Sequence, residues 1–173
     1  MYSGCNPIIR RESTEAQELS AVYSIHVAAF GRPDEADLVA SLRVEGVVLA
    51  SLVAESESRI VGHILFSRMS IETGANSIPA AALAPVSVLP EYQRQGVGGR
   101  LISVGLEFLR DRGERIAIVL GHPEYYRRFG FTCENAGFLE SPFPPEAFMA
   151  MELSRGALDG IRGRVRYPAA FGL

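Results

Sequence analysis

The sequence predicts a single α/β domain in which helices flank a twisted, mostly antiparallel sheet with one parallel pair of strands. Two helical segments precede β-rich segments joined by short turns, and short connections favour antiparallel neighbours. Further on, a strongly periodic helix separates two apolar strands, which predicts a parallel pair joined by a right-handed crossover. The 173 residues suffice for one full core and are few for two domains.

The first half of the chain is predicted to contain two helices and then a meander of strands. Gly31 and Pro33 separate the two helical patterns, and Gly46 ends the second. Polar turn residues separate the β-rich runs that follow. The predicted elements of this half are helices over 16–30 and 33–45 and strands over 47–55, 60–71 and 81–89.

The second half is predicted to open with a helix whose apolar stripe includes Val97, Leu101 and Phe108 and which ends at Gly113. The other predicted elements are a strand over 115–120, a short helix over 124–129, a strand from 131 and a strand over 147–153. We interpret residues 1–155 as the domain and residues 156–173 as an appendage packed on it.

Composition and charge exclude several classes of protein. A formal charge of −3 gives no overall attraction for nucleic acid. No apolar run approaches the ~20 residues of a membrane helix, and the N-terminus lacks the pattern of a secretory leader, so we expect a cytoplasmic protein without a membrane contact. Cys5 and Cys133 are far apart and outside any metal-binding spacing, which predicts free thiols and no metal site.

Residues 85–101 carry the most informative pattern, because a β-branched run stops at a proline and continues through glycines into a helix. Glycines let backbone N–H groups converge on an anion, and the helix start adds further free donors. A Walker A loop would need Lys and a hydroxyl where Arg100 and Leu101 stand. A dinucleotide fingerprint would need glycine at Leu101. The segment therefore predicts another kind of phosphate site.

The remaining pattern, Gln93 to Gly98, resembles the Q/R-x-x-G-x-G/A loop of the GNAT-type N-acetyltransferase superfamily. A second segment, Tyr126 to Phe131, is similar to the Y-x-x-x-G-F segment of the same superfamily. The two matches occur in the family's order, and the order of strands and helices fits from about residue 8 to residue 153.

This resemblance implies the acyl-CoA N-acyltransferase fold and transfer of an acetyl group from acetyl-CoA to a primary amine. It implies that the strand before the loop pairs with the pantetheine arm and that the loop holds the pyrophosphate. The residues so implied are Val86, Ser87 and Val88 on the strand, and Arg94, Gln95, Gly96, Val97, Gly98, Gly99 and Arg100 in the loop and first helical turn. Arg127 and Arg128 are interpreted as solvated instead.

The resemblance also implies that Tyr126 is the general acid that protonates the departing thiolate, whereas Tyr125 is interpreted as packing. The base stays open. The strand before the loop lacks the carboxylate that some family members carry there, and His122 is interpreted equally well as a base or as a loop histidine. His26 and His63 are interpreted as satisfied structural histidines.

Neither the amine acceptor nor the oligomeric state can be identified from the sequence, and a homodimer stays open. We expect acceptor specificity to come from the first two helices and from the loops near 71–79 and 142–145. The alternative class is a non-catalytic acyl-CoA-binding sensor or interaction module with the same fold. The missing strand carboxylate favours this alternative, whereas the retained Tyr126 favours an enzyme.

Overall fold

The computed structural model describes residues 6–173, so Cys5 and the start of the chain lie outside the described residues. These residues contain eight strands and four α-helices. The strands are β1 (Ile8–Arg11), β2 (Val48–Ser56), β3 (Arg59–Glu72), β4 (Ser77–Val88), β5 (Ile116–Leu120), β6 (Leu139–Glu140), β7 (Phe148–Glu152) and β8 (Gly163–Arg166). The helices are α1 (Ala16–Phe30), α2 (Asp34–Glu45), α3 (Val97–Asp111) and α4 (Pro123–Tyr126). Their order along the chain is β1-α1-α2-β2-β3-β4-α3-β5-α4-β6-β7-β8.

The strands form one sheet in the order β1-β2-β3-β4-β5-β7. Along this path β4 and β5 are the parallel pair and every other neighbour is antiparallel, so the predicted fold class is confirmed. Off the path, β8 pairs with the far end of β3, and the two-residue β6 runs parallel to β8. The sequence analysis had not anticipated this second, short parallel contact.

The packing of β3 shows which helices lie on which face of the sheet, since alternate residues of a strand point to opposite faces. Ile64 and Phe66 pack in one cluster with Leu101 of α3. Leu65, between them in sequence, packs in another cluster with Leu42 of α2 and a residue of α1. One face therefore carries α3, and the other carries α1 and α2. None of the helices between residues 6 and 173 has the length and apolar character that crossing a membrane requires.

The strands differ in part from those predicted, and the C-terminal residues make a defined contact. No strand forms at Phe131, because the segment makes a single bridge from Thr132 to Ala150. Before α1, β1 adds an edge strand that the sequence analysis did not predict. At the C-terminus, the carboxylate of Glu45 accepts hydrogen bonds from the N–H groups of Ala169 and Ala170, at 3.0 and 2.9 Å. The last residues are thus held against the end of α2.

A polar cluster lies within the apolar layer between the sheet and α1. His26 of α1 and His63 of β3 are both fully buried, with Nε2 of His26 2.8 Å from Nδ1 of His63. Burial, aided by Arg43, lowers the pKa of His26 from its usual 6.5 to about 4. Burial also holds the pKa of His63 well below its usual value, with His26 and Arg43 adding to the effect. Both imidazoles are therefore neutral at neutral pH.

These two histidines make stability depend on pH in a defined direction. Below pH 6.5 the unfolded chain protonates both imidazoles and the folded chain does not, so their contribution to the free energy of unfolding is complete above pH 6.5 and falls as pH decreases toward 4. The expected slope is about 1.4 kcal/mol per pH unit for each histidine. Denaturant unfolding from pH 7 to 4 should therefore show a steeper loss for the wild type than for His26→Gln, and parallel curves would contradict this.

Candidate active site: the gap between β4 and β5

The parallel pair β4 and β5 separates soon after it forms. The two strands pair only from Ala81 to Leu83 on β4 and from Ala117 to Val119 on β5. Beyond Leu83, β4 contains a register irregularity and a cis peptide bond before Pro85, and it then stays paired with β3 alone. Meanwhile β5 stays paired with β7. A wedge-shaped gap therefore opens at the C-terminal ends of both strands.

Two backbone amides of β4 point into this gap. Residues of an antiparallel strand alternate between groups that face the partner strand and groups that face away. Leu89 faces β3, since its N–H donates to the carbonyl of Val61 at 2.9 Å. By alternation Ser87 also faces β3, while Val86 and Val88 present their N–H groups to the gap. Of the three strand residues implied to bind the pantetheine arm, these two have amides free for it.

The chain leaves β4 through a tight loop braced by its own glutamines. The side-chain amide of Gln93 donates to the carbonyl of Val88 at 2.9 Å, and that of Gln95 donates to the carbonyl of Glu91 at 2.8 Å. Arg94 and Gly96 both adopt positive φ, 59° and 84°. Such angles are costly for a residue with a Cβ and free for glycine, so Gly96 suits the sharp entry into α3.

The first turn of α3 presents unpaired donors toward the loop. The first helical bond runs from the N–H of Arg100 to the carbonyl of Gly96, so the amides of Val97, Gly98 and Gly99 precede the helical ladder. The turn has neither a side-chain cap nor an acidic residue to complement these donors. Arg100 adds a buried Nη1 atom that has no partner among the described residues. Free amides and the positive end of a helix dipole fit a phosphate group, and Arg100 adds a cation to the same turn.

An aromatic wall from the segment after β5 closes one side of this turn. A Cβ on Gly98 would lie 3.1 Å from the hydroxyl of Tyr125, and a Cβ on Gly99 would lie 3.6 Å from the ring of Phe129. The guanidinium of Arg128 stacks on the Tyr125 ring, 4.1 Å from its centroid. Arg128 is exposed, as the sequence analysis expects, and it also stacks beside the loop. Arg127 is exposed and pairs with Glu134 at 3.7 Å.

Tyr126 lies behind Tyr125, against the last residues of β5. Its ring meets that of Phe131 edge to face and lies so close to Gly121 that a Cβ there would clash with it. Burial, with a smaller contribution from Tyr125, raises the pKa of Tyr126 to about 12. The phenol therefore keeps its proton at every physiological pH and has a proton to donate there.

His122 lies at the end of β5 and caps the short helix α4. Its carbonyl accepts the N–H groups of Tyr125 and Tyr126, at 3.0 and 3.2 Å. Its imidazole is exposed and makes no hydrogen bond or ion pair within residues 6–173. This placement leaves open both interpretations of His122 drawn from the sequence.

A buried chain of polar groups leads away from β4 on the α1/α2 face. The hydroxyl of Ser87 is 3.4 Å from Nε2 of His26, which in turn contacts His63. Nε2 of His63 is 2.8 Å from the hydroxyl of Ser51, and that hydroxyl is 2.5 Å from the carboxylate of Glu12. Arg43 of α2 donates to the other carboxylate oxygen. We call these groups the buried relay: Ser87, His26, His63, Ser51, Glu12 and Arg43.

Sequence reasoning missed the buried relay, and it described His26 as a satisfied structural histidine. In fact Nδ1 of His26 is buried without a partner among the described residues. The members come from separate elements, and no local motif joins them. One signal was available in the sequence: Ser51 and Val53 are two residues apart on β2, so they point to the same face of the sheet, and His63, which pairs with Val53, points there too. Placing Ser87 on that face requires the irregular register between β3 and β4, which the sequence does not reveal.

Comparison with known proteins places this geometry in a family. Residues 10–133 match the model of the acetyltransferase (GNAT) domain. The uncharacterized N-acetyltransferase YjhQ of Escherichia coli strain K12 is 43% identical over 141 residues, which cover 79% of this chain and 78% of that protein. The uncharacterized N-acetyltransferase YhbS of the same strain is 32% identical over 146 residues, covering 83% of this chain and 86% of YhbS.

Two solved structures resemble the whole chain. E. coli YhbS in complex with CoA superposes with a TM-score of 0.89 at 28% identity, over 100% of this chain and 96% of that one. A GNAT family acetyltransferase from Brucella melitensis in complex with acetyl-CoA gives a TM-score of 0.79 at 34% identity, over 97% and 99%. The sequence matches, the structural matches and the separated strand pair beside a phosphate-type loop lead to the same conclusion. The chain is an acyltransferase and belongs to the GNAT family of acetyltransferases.

Proposed function

We propose that this protein transfers the acetyl group of acetyl-CoA to a primary amine, which attacks the thioester directly. One observation carries the proposal: the edge of β4 that faces the gap leads straight into the unpaired amides at the start of α3. A ligand that fits this surface has an extended arm with amide groups, which can pair with the edge of β4, and a pyrophosphate at one end, which can bind the amides of α3. CoA carries both groups, and the two solved relatives were obtained with CoA and acetyl-CoA.

In this proposal the backbone of β4 aligns the thioester. The pantetheine arm pairs with the free edge of β4 as an added strand would, using the amides of Val86 and Val88. One of these donors then lies near the thioester oxygen and stabilises the negative charge that develops there as the amine attacks. Meanwhile the loop from Arg94 and the first turn through Arg100 hold the pyrophosphate.

Tyr126 supplies the proton for the departing thiolate. A thiolate that forms in a site shielded from water is more basic than one in solution, because desolvation disfavours its charge. The same shielding raises the pKa of Tyr126 to about 12, so burial shifts donor and acceptor in the same direction. The phenol stays protonated until sulfur leaves, and proton transfer is then coupled to cleavage of the C–S bond.

Calorimetric titration with acetyl-CoA tests the binding half of the proposal. Arg100→Gln removes the guanidinium whose buried nitrogen lacks a partner, and loss of charge-assisted hydrogen bonds to phosphate should weaken binding about 10-fold or more. Arg110→Gln is the matched control, since Arg110 is exposed in the last turn of the same helix. Equal affinities for both variants would contradict the assignment of Arg100.

A screen for thiol release in the presence of amines, amino acids and protein N-termini tests the transfer half. We expect release with at least one acceptor class. Tight binding of acetyl-CoA without thiol release for any class would instead support a sensor or interaction module. Failure of the wild type to bind acetyl-CoA would reject both functions.

Tyr126→Phe should lower kcat for the most active acceptor by about 100-fold or more, the usual contribution of a general acid, while leaving acetyl-CoA affinity unchanged. Tyr167→Phe is the control, because Tyr167 is a half-buried tyrosine that packs with Phe143 and Phe171, away from the gap. Steady-state kinetics at saturating acetyl-CoA provide the measurement. Unchanged kcat in Tyr126→Phe would remove this residue from the mechanism.

A further inference from the structure

The buried relay has a defined direction of hydrogen bonding. Arg43 can only donate, so Glu12 accepts from it, and the Ser51 hydroxyl donates to the second carboxylate oxygen of Glu12 at 2.5 Å. Since its proton is committed to Glu12, Ser51 must accept from Nε2–H of His63 at 2.8 Å. A neutral imidazole carries one N–H, so Nδ1 of His63 bears a lone pair.

The same reasoning extends to the end of the chain. Nδ1 of His63 accepts from Nε2–H of His26 at 2.8 Å, which leaves the lone pair of His26 on Nδ1. That atom is buried and has no donor among the described residues. Oε2 of Glu35, on the adjoining helix α2, is a second buried acceptor without a partner. Buried polar atoms are normally satisfied, so the lone pairs of these two atoms are available to an N–H or O–H donor that enters between α1 and α2.

The relay reaches the strand against which the thioester would lie. Ser87, which contacts His26, stands between the two residues whose amides face the gap, and its side chain points to the α1/α2 face. The opposite face is covered by α3 and the aromatic wall. The α1/α2 side is therefore the remaining side from which a nucleophile can approach the thioester, although α1 packs there and both Ser87 and His26 are buried beneath it. On that side Phe30, 42% exposed, stacks parallel to His26 at a centroid distance of 6.3 Å.

We propose that Nδ1 of His26 takes the proton from the attacking nucleophile and that His63 and Ser51 pass it to Glu12. This inference rests on the proposed acetyl transfer. As nitrogen bonds to the carbonyl carbon, its proton moves to Nδ1 of His26. The Nε2 proton of His26 moves to His63, the Nε2 proton of His63 moves to Ser51, and the Ser51 proton moves to Glu12. The net change is one proton gained by the Glu12 carboxylate, and sulfur leaves with the electron pair of the C–S bond.

The charges around the relay favour passage of the proton over its retention on histidine. Burial and Arg43 lower the pKa of His26, and Glu35 only partly opposes them. Burial raises the pKa of Glu12 above that of an ordinary carboxyl group, although Ser51 and Arg43 oppose this effect. The two imidazoles therefore hold an extra proton weakly, whereas the carboxylate of Glu12 accepts a proton more readily than a carboxylate in water. A base is thus present although β4 lacks a carboxylate.

Hydrolysis of acetyl-CoA tests the relay without knowledge of the acceptor, because water replaces the amine and must lose a proton to the same base. His26→Gln keeps a polar side chain but cannot take up the proton, and should lower the hydrolysis rate about 100-fold while calorimetry shows unchanged acetyl-CoA affinity. Ser51→Ala interrupts the chain without altering any charge and should lower the rate in the same direction. Ser67→Ala is the control: Ser67 is buried on β3, and its hydroxyl has no hydrogen-bond partner among the described residues.

Two further measurements separate a relay from a structural role. The kcat of the wild type for hydrolysis of acetyl-CoA should fall as pH decreases, because the relay becomes protonated. The kcat of His26→Gln for the same reaction should not change with pH in that range. Nitrogen-15 NMR of the histidines at pH 7 should show both His26 and His63 protonated at Nε2 and unprotonated at Nδ1.

Several results would overturn the relay. They are a wild-type hydrolysis rate no higher than that of free acetyl-CoA, unchanged hydrolysis in His26→Gln, or an Nδ1–H tautomer of His26. Each of these can occur while acetyl-CoA still binds and amines are still acetylated, so the relay can fail alone. Loss of acetyl-CoA binding by the wild type would instead reject the proposed function itself.

Discussion

The separation of β4 from β5 is the constraint on which the rest of the site depends. A buried strand edge with unpaired amides is unfavourable, and sheets normally avoid it by continuing the ladder. Here the ladder between the two strands stops after Leu83 and Val119, while each strand keeps its other neighbour. The gap is therefore rigid on both sides, and its free amides can be satisfied by a ligand with a backbone-like arm. A binding surface built on strands in this way needs little ordering when the ligand arrives.

The loop after β4 and the helix α3 extend this arrangement to an anion. The gap directs an extended ligand toward the first turn of α3, where neither a cap nor a carboxylate competes for the helix donors. The aromatic wall approaches most closely at Gly98, where a Cβ would lie 3.1 Å from the hydroxyl of Tyr125, whereas a Cβ on Gly99 would make an ordinary contact with Phe129. The lack of a side chain at Gly98 therefore leaves room for the wall on one side of the turn and for a ligand on the other. Moving either strand of the gap would misplace both contacts together.

The buried relay shows how a polar group can survive in the core of this domain. Each internal member has a hydrogen-bonding partner, and the charge of Glu12 is matched by Arg43, which limits the cost of burial. The exception among the relay atoms is Nδ1 of His26, and Oε2 of Glu35, a neighbour outside the relay, also has no partner among the described residues. An unsatisfied buried atom lowers the stability of the folded protein, and these two lie on α1 and α2. The group that we propose as the proton acceptor therefore carries a cost in stability.

The sequence by itself determined the fold class, the order of most helices and strands, and the loop from Gln93 to Gly99, because hydrophobic periodicity, turn residues and glycine spacing are local signals. It also singled out Tyr126, through a motif of six neighbouring residues. Only the tertiary structure decided which amides of β4 are free, that Arg128 and Tyr125 lie beside the loop, and that Glu12, His26, Ser51, His63 and Ser87 meet. These facts depend on strand register, on one irregularity in β4, and on the packing of α1 across the sheet. Such long-range contacts join residues far apart in the chain, so no short pattern within the sequence encodes them.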